Sequence, residues 1–267
     1  MGCQFRVLGS SSAGNCALLD TGRTKILIEA GFSARRIQKL LKAAGESIEA
    51  IDGVFLTHEH KDHAAGLTGL ARFQHLRFFA NRATAQAIQA RLNWRPQWQV
   101  FETGARFQYR DLEVHAFSVP HDAYDPVGFT FAWGEGDLFS PRQSLAWVTD
   151  LGYISQLVRE RIRAVNILVI EANYDGDLLD SDPRRPWAVK QRIRGRHGHL
   201  SNQAAHELLA GIEQPYWQHV FLVHLSRDCN EVDRVRTLFG SLIERGRTFT
   251  VNVIDPTGDG LSPAITL

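Results

Sequence analysis

Thr57-His58-Glu59-His60-Lys61-Asp62-His63 follows directly on the apolar run Val54-Phe55-Leu56, which predicts a buried strand that ends here. The first two histidines of the stretch alternate along extended chain, so both can point the same way, while the aspartate and the third histidine fall where the chain turns into a helix. Burying these groups with nothing to neutralise them would cost several kcal/mol, so the cluster predicts a metal site. Imidazole and carboxylate ligands favour zinc, with manganese or iron as alternatives that the sequence leaves open.

The chain as a whole is that of a globular protein. It has 267 residues, of which 44% are apolar, and we expect one domain over residues 1–267. The formal net charge of +1 does not by itself indicate a nucleic-acid binder, although a net value hides local clusters. No hydrophobic leader or run of about 18 apolar residues occurs, so we expect a soluble, cytoplasmic protein with no membrane contact. The three cysteines, at Cys3, Cys16 and Cys229, are odd in number and lack CxxC spacing, as in a reducing compartment. The oligomeric state stays open.

The order of predicted elements alternates between strands and helices. Apolar patterns predict strands at 4–8, 16–19 and 25–29 with a loop at 9–15, a helix at 33–44, and a further helix at 63–73. A second group of strands follows between residues 99 and 133, and helices are predicted at 154–164, 201–212 and 232–244. Each sheet must bury one face against the other sheet and its second face under helices. The sequence therefore predicts an α/β fold, a four-layer αββα sandwich.

Three further polar residues end apolar runs later in the chain. His121 follows Val119-Pro120, Asp150 follows Ala146-Trp147-Val148-Thr149, and His224 follows Val220-Phe221-Leu222-Val223. A side chain at a strand end can project into a cleft, although each of these residues could instead cap a turn. A two-metal site needs about three ligands beyond those of the first cluster, and these residues supply that number.

The order and spacing of these residues resemble the five motifs of the metallo-β-lactamase superfamily over nearly the whole chain. The resemblance implies two divalent metal ions, and it implies ligands in two sets: His58, His60 and His121 for one ion, Asp62, His63 and His224 for the other, with Asp150 between them. Members of this superfamily cleave lactams, thioesters and phosphodiesters, so the substrate stays open.

Three other segments resemble a narrower group. Residues 7–16, residues 119–128 and the pair 198–202 and 224–227 are similar to the YycJ/WalJ group of bacterial nucleases, which implies a 5′ to 3′ exodeoxyribonuclease acting on DNA. Gly198-His199-Leu200-Ser201 and Glu171-Ala172-Asn173-Tyr174 also resemble two catalytic loops of the tRNase Z branch, in which a histidine assists proton transfer. The resemblance implies a catalytic role for His199. Tyr174 departs from the histidine expected at its position, and its role stays open.

A phosphodiester suits such a site because it is charged before the reaction begins and needs cations to admit a nucleophile. Asp62 would orient the attacking water or accept its proton, and His199 would protonate the leaving oxygen or hold the scissile phosphate, unless it is a structural histidine. A small-molecule hydrolase for thioesters, lactams or cyclic nucleotides is the alternative function. A metal-retaining binding module without turnover is a third.

Residues 184–197 carry six cations and no acid, immediately before His199. We expect Lys190 and Arg194 of this basic run to bind substrate phosphates, against the alternative of a solvated surface. Trp187 could stack on a base or be buried. Ser11 and Asn15 in the Gly/Ser-rich segment, and Ser201 beside His199, complete the predicted substrate-binding residues.

Overall fold

The computed structural model describes residues 3–137, 142–244, 246–257 and 261–266. Its strands are β1 (Gln4–Ser11), β2 (Gly14–Asp20), β3 (Lys25–Ile28), β4 (Gly53–Phe55), β5 (Arg77–Asn81), β6 (Gln97–Phe101), β7 (Arg106–Tyr109), β8 (Leu112–Ser118), β9 (Val127–Trp133), β10 (Gln143–Val148), β11 (Ile167–Glu171), β12 (His219–Val223), β13 (Thr250–Val253) and β14 (Ile265–Thr266). The helices are α1 (Ala34–Ala43), α2 (Lys61–Ala64), α3 (Leu67–Leu70), α4 (Arg82–Gln89), α5 (Gln156–Arg163), α6 (Gly176–Ser181), α7 (Trp187–Arg194), α8 (Asn202–Gly211) and α9 (Val232–Glu244), with a short 3-10 helix at Ile48–Ala50.

These strands form two mixed sheets. Within the described ranges each sheet has seven strands, in the order β14-β1-β2-β3-β4-β5-β6 and β13-β12-β11-β10-β9-β8-β7. The strands β3 to β6 run parallel in the first sheet, as do β10 to β13 in the second. β8 is antiparallel to β9, which is antiparallel to β10, so β8 runs in the direction of β10. The carboxyl ends of β3 to β6 therefore lie at one edge of the first sheet, and those of β8 and β10 to β13 lie at one edge of the second, which is where such sheets place their sites.

Three apolar cores hold the layers together. The core between the sheets contains Phe55, which stacks on Phe79 at 4.2 Å between ring centroids and meets Phe131 edge-on at 5.2 Å. Each such ring pair adds about 0.5–1.5 kcal/mol to the burial itself. A second core lies between the outer face of the first sheet and α1, α3 and α4, and a third lies under α5, α8 and α9 on the other side. Helices, two sheets and helices follow one another, so the predicted αββα sandwich is confirmed.

The helices begin where the sequence provides caps. Ser33 accepts a hydrogen bond from the amide of Arg36 at the start of α1, and Ser201 accepts one from the amide of Ala204 at the start of α8. In α1 the buried residues fall at i, i+3 and i+4, as predicted. None of the helices in the described part of the chain combines the length and the apolar character needed to cross a bilayer.

Two sequence predictions about local structure were wrong. Residues 9–15, predicted as a loop, lie mostly in β1 and β2, and the small residues there make room for a ring: a Cβ at Gly14 would lie 2.5 Å from Phe32. The predicted helix at 63–73 is instead the two short helices α2 and α3, because the amide of Gly66 donates to the carbonyl oxygen of Ala30 at 2.7 Å and not to a carbonyl oxygen within the helix. A Cβ at Gly66 would lie 2.6 Å from the carbonyl oxygen of Phe32.

Candidate metal centre

The seven predicted metal ligands converge at the carboxyl-end edge of the two sheets. The ligand atoms of His58, His60 and His121 lie within 4.8 Å of one another, and those of Asp62, His63, Asp150 and His224 form a second such group. The cluster that follows β4 comes from the first sheet, whereas His121, Asp150 and His224 follow β8, β10 and β12 of the second. The structure therefore brings the predicted ligands together in the two sets that the resemblance implies, with Asp150 grouped with the second set, and their role as ligands stays a prediction.

The donor atoms fit a divalent cation. Nε2 of His58 is buried and has no hydrogen-bond partner among the described residues, and Nε2 of His121 lies 3.3 Å from Nδ1 of His60. In the second set, Nε2 of His63 lies 3.1 Å from Asp150 Oδ2. Buried lone-pair donors that point at a common volume are costly without a partner, and a metal ion is the partner that this set of nitrogen and carboxylate donors suits.

The electrostatics of the second set show a surplus of negative charge. Burial acts to lower the pKa of His224, but Asp150, Asp62 and Glu171 outweigh it and raise that pKa to about 10. Burial likewise opposes the proton on His63, yet Asp150 and Asp62 hold its pKa well above the usual value. Both rings therefore keep a proton where a bound cation would supply the positive charge. In the first set, burial lowers the pKa of His58 well below its usual value, which keeps the ring neutral.

Two buried groups hold the first ligand loop in place. Glu29, at the end of β3, is fully buried, and its Oε1 lies 3.3 Å from Nδ1 of His63. Such a carboxylate fixes the orientation of a ligating imidazole and makes it a stronger donor. The side-chain amide of Asn15 donates to the carbonyl oxygen of Asp62 at 3.3 Å, while its oxygen accepts from Ser10 at 2.6 Å.

Glu171, the last residue of β11, organises the other side of the site from a fully buried position. Five groups lie within hydrogen-bonding distance of its carboxylate: the amides of Asp150 (3.2 Å), Leu151 (3.2 Å) and Leu200 (2.6 Å), and Nδ1 of His199 (3.2 Å) and of His224 (3.1 Å). Burial alone would raise the pKa of this carboxyl group, but His199 and His224 lower it to about 2. Glu171 is therefore a permanent anion that aims one predicted ligand and one predicted catalytic histidine.

His199 is suited to proton transfer. Its side chain is 23% exposed and lines the cavity beside the ligands, while its Nδ1 faces Glu171. Burial lowers the pKa of His199, but the Glu171 carboxylate outweighs burial and raises it. With Nδ1 held in this way, Nε2 is the atom left to give a proton to a reacting group.

Several of these residues sit in strained backbone. Asp150 and His224 both have φ +57°, and Glu29 has φ +66°. Left-handed backbone at such residues costs about 1–3 kcal/mol each and persists only where the surroundings enforce it. Here the amide of Asp150 donates to Glu171, and the amide of His224 donates to the hydroxyl of Ser10 at 2.8 Å. The strained backbone at these two strand ends therefore directs the side chains of Asp150 and His224 into the cavity.

The cavity itself is small, about 140 Å³. Five of the predicted ligands, all except His58 and His63, line it together with His199. Its other lining residues are Ser12, Asp122, Val189, Arg192, Ile193 and Gly198. Nε of Arg192 pairs with Asp122 at 2.5 Å, which puts a guanidinium at the rim. Sites that enclose whole small ligands have volumes of about 300–1,000 Å³, so this one admits a reacting group rather than a whole molecule.

Lys190 and Arg194, two of the predicted substrate-binding residues, contact another part of the chain. Lys190 is buried and donates to the carbonyl oxygen of Asp180 at 2.6 Å, and Arg194 pairs with the Asp180 carboxylate at 2.6 Å. Neither residue lines the cavity, because the face of α7 that does so carries Val189, Arg192 and Ile193. Both side chains have partners within the chain, and their role as phosphate ligands stays a prediction.

The serine and asparagine residues of that prediction also have structural partners. The hydroxyl of Ser11 accepts from the amide of Ala13 within the hairpin turn, Asn15 braces the Asp62 loop, and Ser201 caps α8. Ser12, next to Ser11, is the serine that reaches the cavity.

The structure also gives the surroundings of Trp187, Tyr174 and the cysteines. Trp187 is 67% exposed, so burial, the alternative favoured by its apolar character, is wrong. Tyr174 is buried against Leu179 and Cys229 and does not line the cavity. Cys229 and the two other cysteines are buried as free thiols.

Glu29 and Glu171 were not among the predicted site residues. Each is a polar residue that ends an apolar strand, the same signal that identified Asp150 and His224. No pattern in the sequence indicated that Arg192 would line the cavity. Which residues of α7 face the cavity depends on how the helix is rotated about its axis.

Comparison with known proteins agrees with this geometry. A family model described as a beta-lactamase superfamily domain matches residues 24–225. The chain therefore belongs to the β-lactamase superfamily and is a metal-dependent hydrolase.

Two relatives show which group within the superfamily this chain resembles. The exodeoxyribonuclease YycJ of Bacillus anthracis is 34% identical over 263 residues, which cover 96% of this chain and 97% of that protein. The exodeoxyribonuclease WalJ of Streptococcus pneumoniae is 32% identical over 235 residues, covering 86% and 84% of the two chains. Among solved structures, the metallo-beta-lactamase fold protein YhfI from Bacillus subtilis superposes with a TM-score of 0.72 at 14% identity, over 100% of both chains. The predicted superfamily and the resemblance to the YycJ/WalJ group are confirmed.

Proposed function

We propose that this protein is a nuclease that hydrolyses phosphodiester bonds of DNA, removing nucleotides from the 5′ end with the help of two divalent metal ions. Zinc is the ion that the donor set favours, with manganese and iron as alternatives. The observation that carries the proposal is that both ligand sets and His199 open into one small cavity. The names of the YycJ and WalJ relatives support DNA as the substrate and the exonuclease mode. We place the activity in the cytoplasm, where buried free thiols stay reduced.

Divalent ions bound by the two ligand sets would lower the pKa of a water molecule and neutralise charge on the phosphoryl group. The residues of the chain supply the remaining steps. Asp62 is 23% exposed at its side chain and lines the cavity, where its carboxylate would orient the attacking water by accepting a hydrogen bond from it. His199 gives the proton on its Nε2 to the leaving oxygen, while Glu171 holds the ring in place and favours its charged form.

The shape of the site favours a polymer. A cavity of about 140 Å³ takes in one phosphodiester and leaves the flanking nucleotides on the surface. Arg192 at the rim is the cation best placed to contact a phosphate next to the scissile one, since it lines the cavity. A guanidinium suits this task because its N–H groups match two phosphate oxygens.

The experiment that tests this function follows the first product released from duplex DNA. We expect metal-loaded protein to release labelled mononucleotide at once from a 5′-labelled duplex, and only late from a 3′-labelled one. Asp62→Asn and His199→Ala are expected to slow release by about 100-fold or more, as for the loss of a general acid or base. His219→Gln, which changes a histidine outside the cavity, is the matched control.

The outcomes separate the alternatives. Early release from the 3′ label would overturn the 5′ to 3′ direction. No release from any nucleic acid, together with hydrolysis of a thioester or cyclic nucleotide that depends on Asp62, would replace the nuclease by a small-molecule hydrolase.

A further inference from the structure

A second cavity, of about 450 Å³, lies on the outer face of the second sheet. It is formed by β7 to β10 and the last turn of α5. Along β8, Leu112 and Val114 face the core between the sheets, so the alternation of side chains turns Glu113 and His115 outward into this cavity. None of its described lining residues lines the metal-centre cavity. Its volume falls within the range of about 300–1,000 Å³ that is usual for small-ligand sites.

The wall of this cavity carries two arginines that have no carboxylate partner among the described residues. Arg106 lies directly opposite His115 in the pairing of β7 with β8. Arg161 lies in the last turn of α5, where the carbonyl end of the helix favours a cation. Neither guanidinium forms an ion pair with any residue that the structure describes, and Nε of Arg161 is buried without a hydrogen-bond partner there.

The acids in the same wall offset only part of this charge. Glu113 pairs with Arg142, whereas Glu160 accepts a hydrogen bond from the neutral side-chain amide of Gln156 at 3.2 Å and keeps its charge. Three arginines and two glutamates line the cavity, so its described wall has an excess of one positive charge.

The surroundings of His115 reflect this imbalance. The residue is 8% exposed and lines the cavity. Burial lowers the pKa of His115, and Arg161 and Arg106 lower it further, although Glu113 acts in the opposite direction. The excess of positive charge thus acts on His115 in the cavity wall, and an anion is a ligand that would offset it.

We propose that this cavity binds a nucleoside monophosphate, with the phosphate between Arg106 and Arg161 and the base against the ring of Tyr216. Tyr216 is 71% exposed and lines the cavity, which leaves one face of its ring free to stack. Two arginines that line one cavity can both donate to the doubly charged oxygens of a phosphate monoester. The inference does not depend on the proposed nuclease activity, because the two cavities share none of these residues.

The test is a calorimetric titration of the metal-loaded protein with deoxyadenosine 5′-monophosphate, at protein concentrations that give the stoichiometry. The wild-type protein is expected to show a binding event that is absent, or at least about tenfold weaker, in the Arg106→Gln/Arg161→Gln double variant. Hydrolysis of DNA by that variant should stay at the wild-type rate. Arg82→Gln, which removes an exposed arginine of α4, is the matched control and should bind like the wild type.

Inorganic phosphate and deoxyadenosine divide the ligand into its two parts. Inorganic phosphate should occupy the same site with the same dependence on the two arginines, and neutral deoxyadenosine should bind far more weakly. Equal stoichiometry and affinity in the wild type and the double variant would place all binding at the metal centre and overturn the inference. Equal affinity for deoxyadenosine and its monophosphate would overturn it as well. Because Arg106 is exposed, Arg106→Gln alone decides the question if the double variant does not fold.

Discussion

Replacing Glu171 by glutamine changes one buried oxygen to an amide group and little else. The carboxylate accepts hydrogen bonds at both oxygens: Oε1 from the amides of Leu151 and Leu200, and Oε2 from the amide of Asp150 and the rings of His199 and His224. In Glu171→Gln, the new NH₂ group must face donors whichever way the side chain is turned. The variant therefore loses at least two hydrogen bonds to a charged group.

The expected loss can be worked out from this count. Each hydrogen bond to a charged group contributes about 1.5–3 kcal/mol, so two of them amount to about 3–6 kcal/mol of the free energy of unfolding. For a chain of this size, that corresponds to a fall in Tm of about 6–24 °C. The rate of DNA hydrolysis should fall about 10- to 100-fold, as is usual when a group that orients a metal ligand is changed.

A change in the pH profile separates this role from simple loss of stability. Because Glu171 raises the pKa of His199, its neutralisation lowers that pKa. His199 then loses its proton at lower pH, and the alkaline limb of the rate profile moves toward acid. The assays are thermal unfolding, metal content and initial rates between about pH 6 and 9. Glu207→Gln, at an exposed glutamate of α8, is the control. An unchanged profile and an unchanged Tm in Glu171→Gln would refute the role of this residue.

Three further predictions concern the same site. Zinc binding to metal-stripped protein near pH 8 should release about two protons, one each from His63 and His224. The number of protons released should fall as the pH rises above the pKa of His224, which is about 10. Calorimetry in buffers of different ionisation enthalpy measures this number. Gly31→Ala should lower both metal content and Tm, because the new Cβ would lie 1.7 Å from the carbonyl oxygen of Asp62, whereas Gly176→Ala, with nothing within 4 Å, should behave like the wild type. DNA binding by the inactive Asp62→Asn variant, followed by fluorescence anisotropy, should weaken steeply with added salt, because only a polyanion releases many counterions.

Each of these has an outcome that contradicts it. Zinc uptake without proton release would mean that the two histidines are neutral before binding. Full metal content in Gly31→Ala would mean that the ligand loop adapts at little cost. A flat salt response would mean that few phosphates contact the protein.

The convergence of the predicted ligands could be expected from the sequence because the signal at each position is local. His121, Asp150 and His224 each end an apolar run, and the topology of parallel strands then brings such ends together without further information. The fold followed from the same runs and from the helical patterns between them. Glu171 carries that signal too, since it ends β11, but nothing in the sequence tells a ligand from a residue that holds a ligand in place.

The sequence did not reveal the partners and orientations of the predicted substrate-binding residues. The absence of acids within the run 184–197 suggested free cations, yet Asp122, Asp180, Asp182 and Asp228 come from outside the run and pair with its arginines. The phase of α7 is also set by tertiary packing, which buries Lys190 and turns Arg192 toward the cavity. Contacts between distant parts of the chain decided both points.

The division of the ligands between the two sheets has a consequence beyond catalysis. His58 and His63 belong to one half of the sandwich and His121, Asp150 and His224 to the other, so a captured ion fastens the halves together. Free metal at 100 times its dissociation constant would add about 2.7 kcal/mol to the folded state. Scarcity of the metal ion in the cell would then shorten the lifetime of the protein as well as abolish its activity. Chains without metal would unfold more often, and proteases cleave unfolded chains.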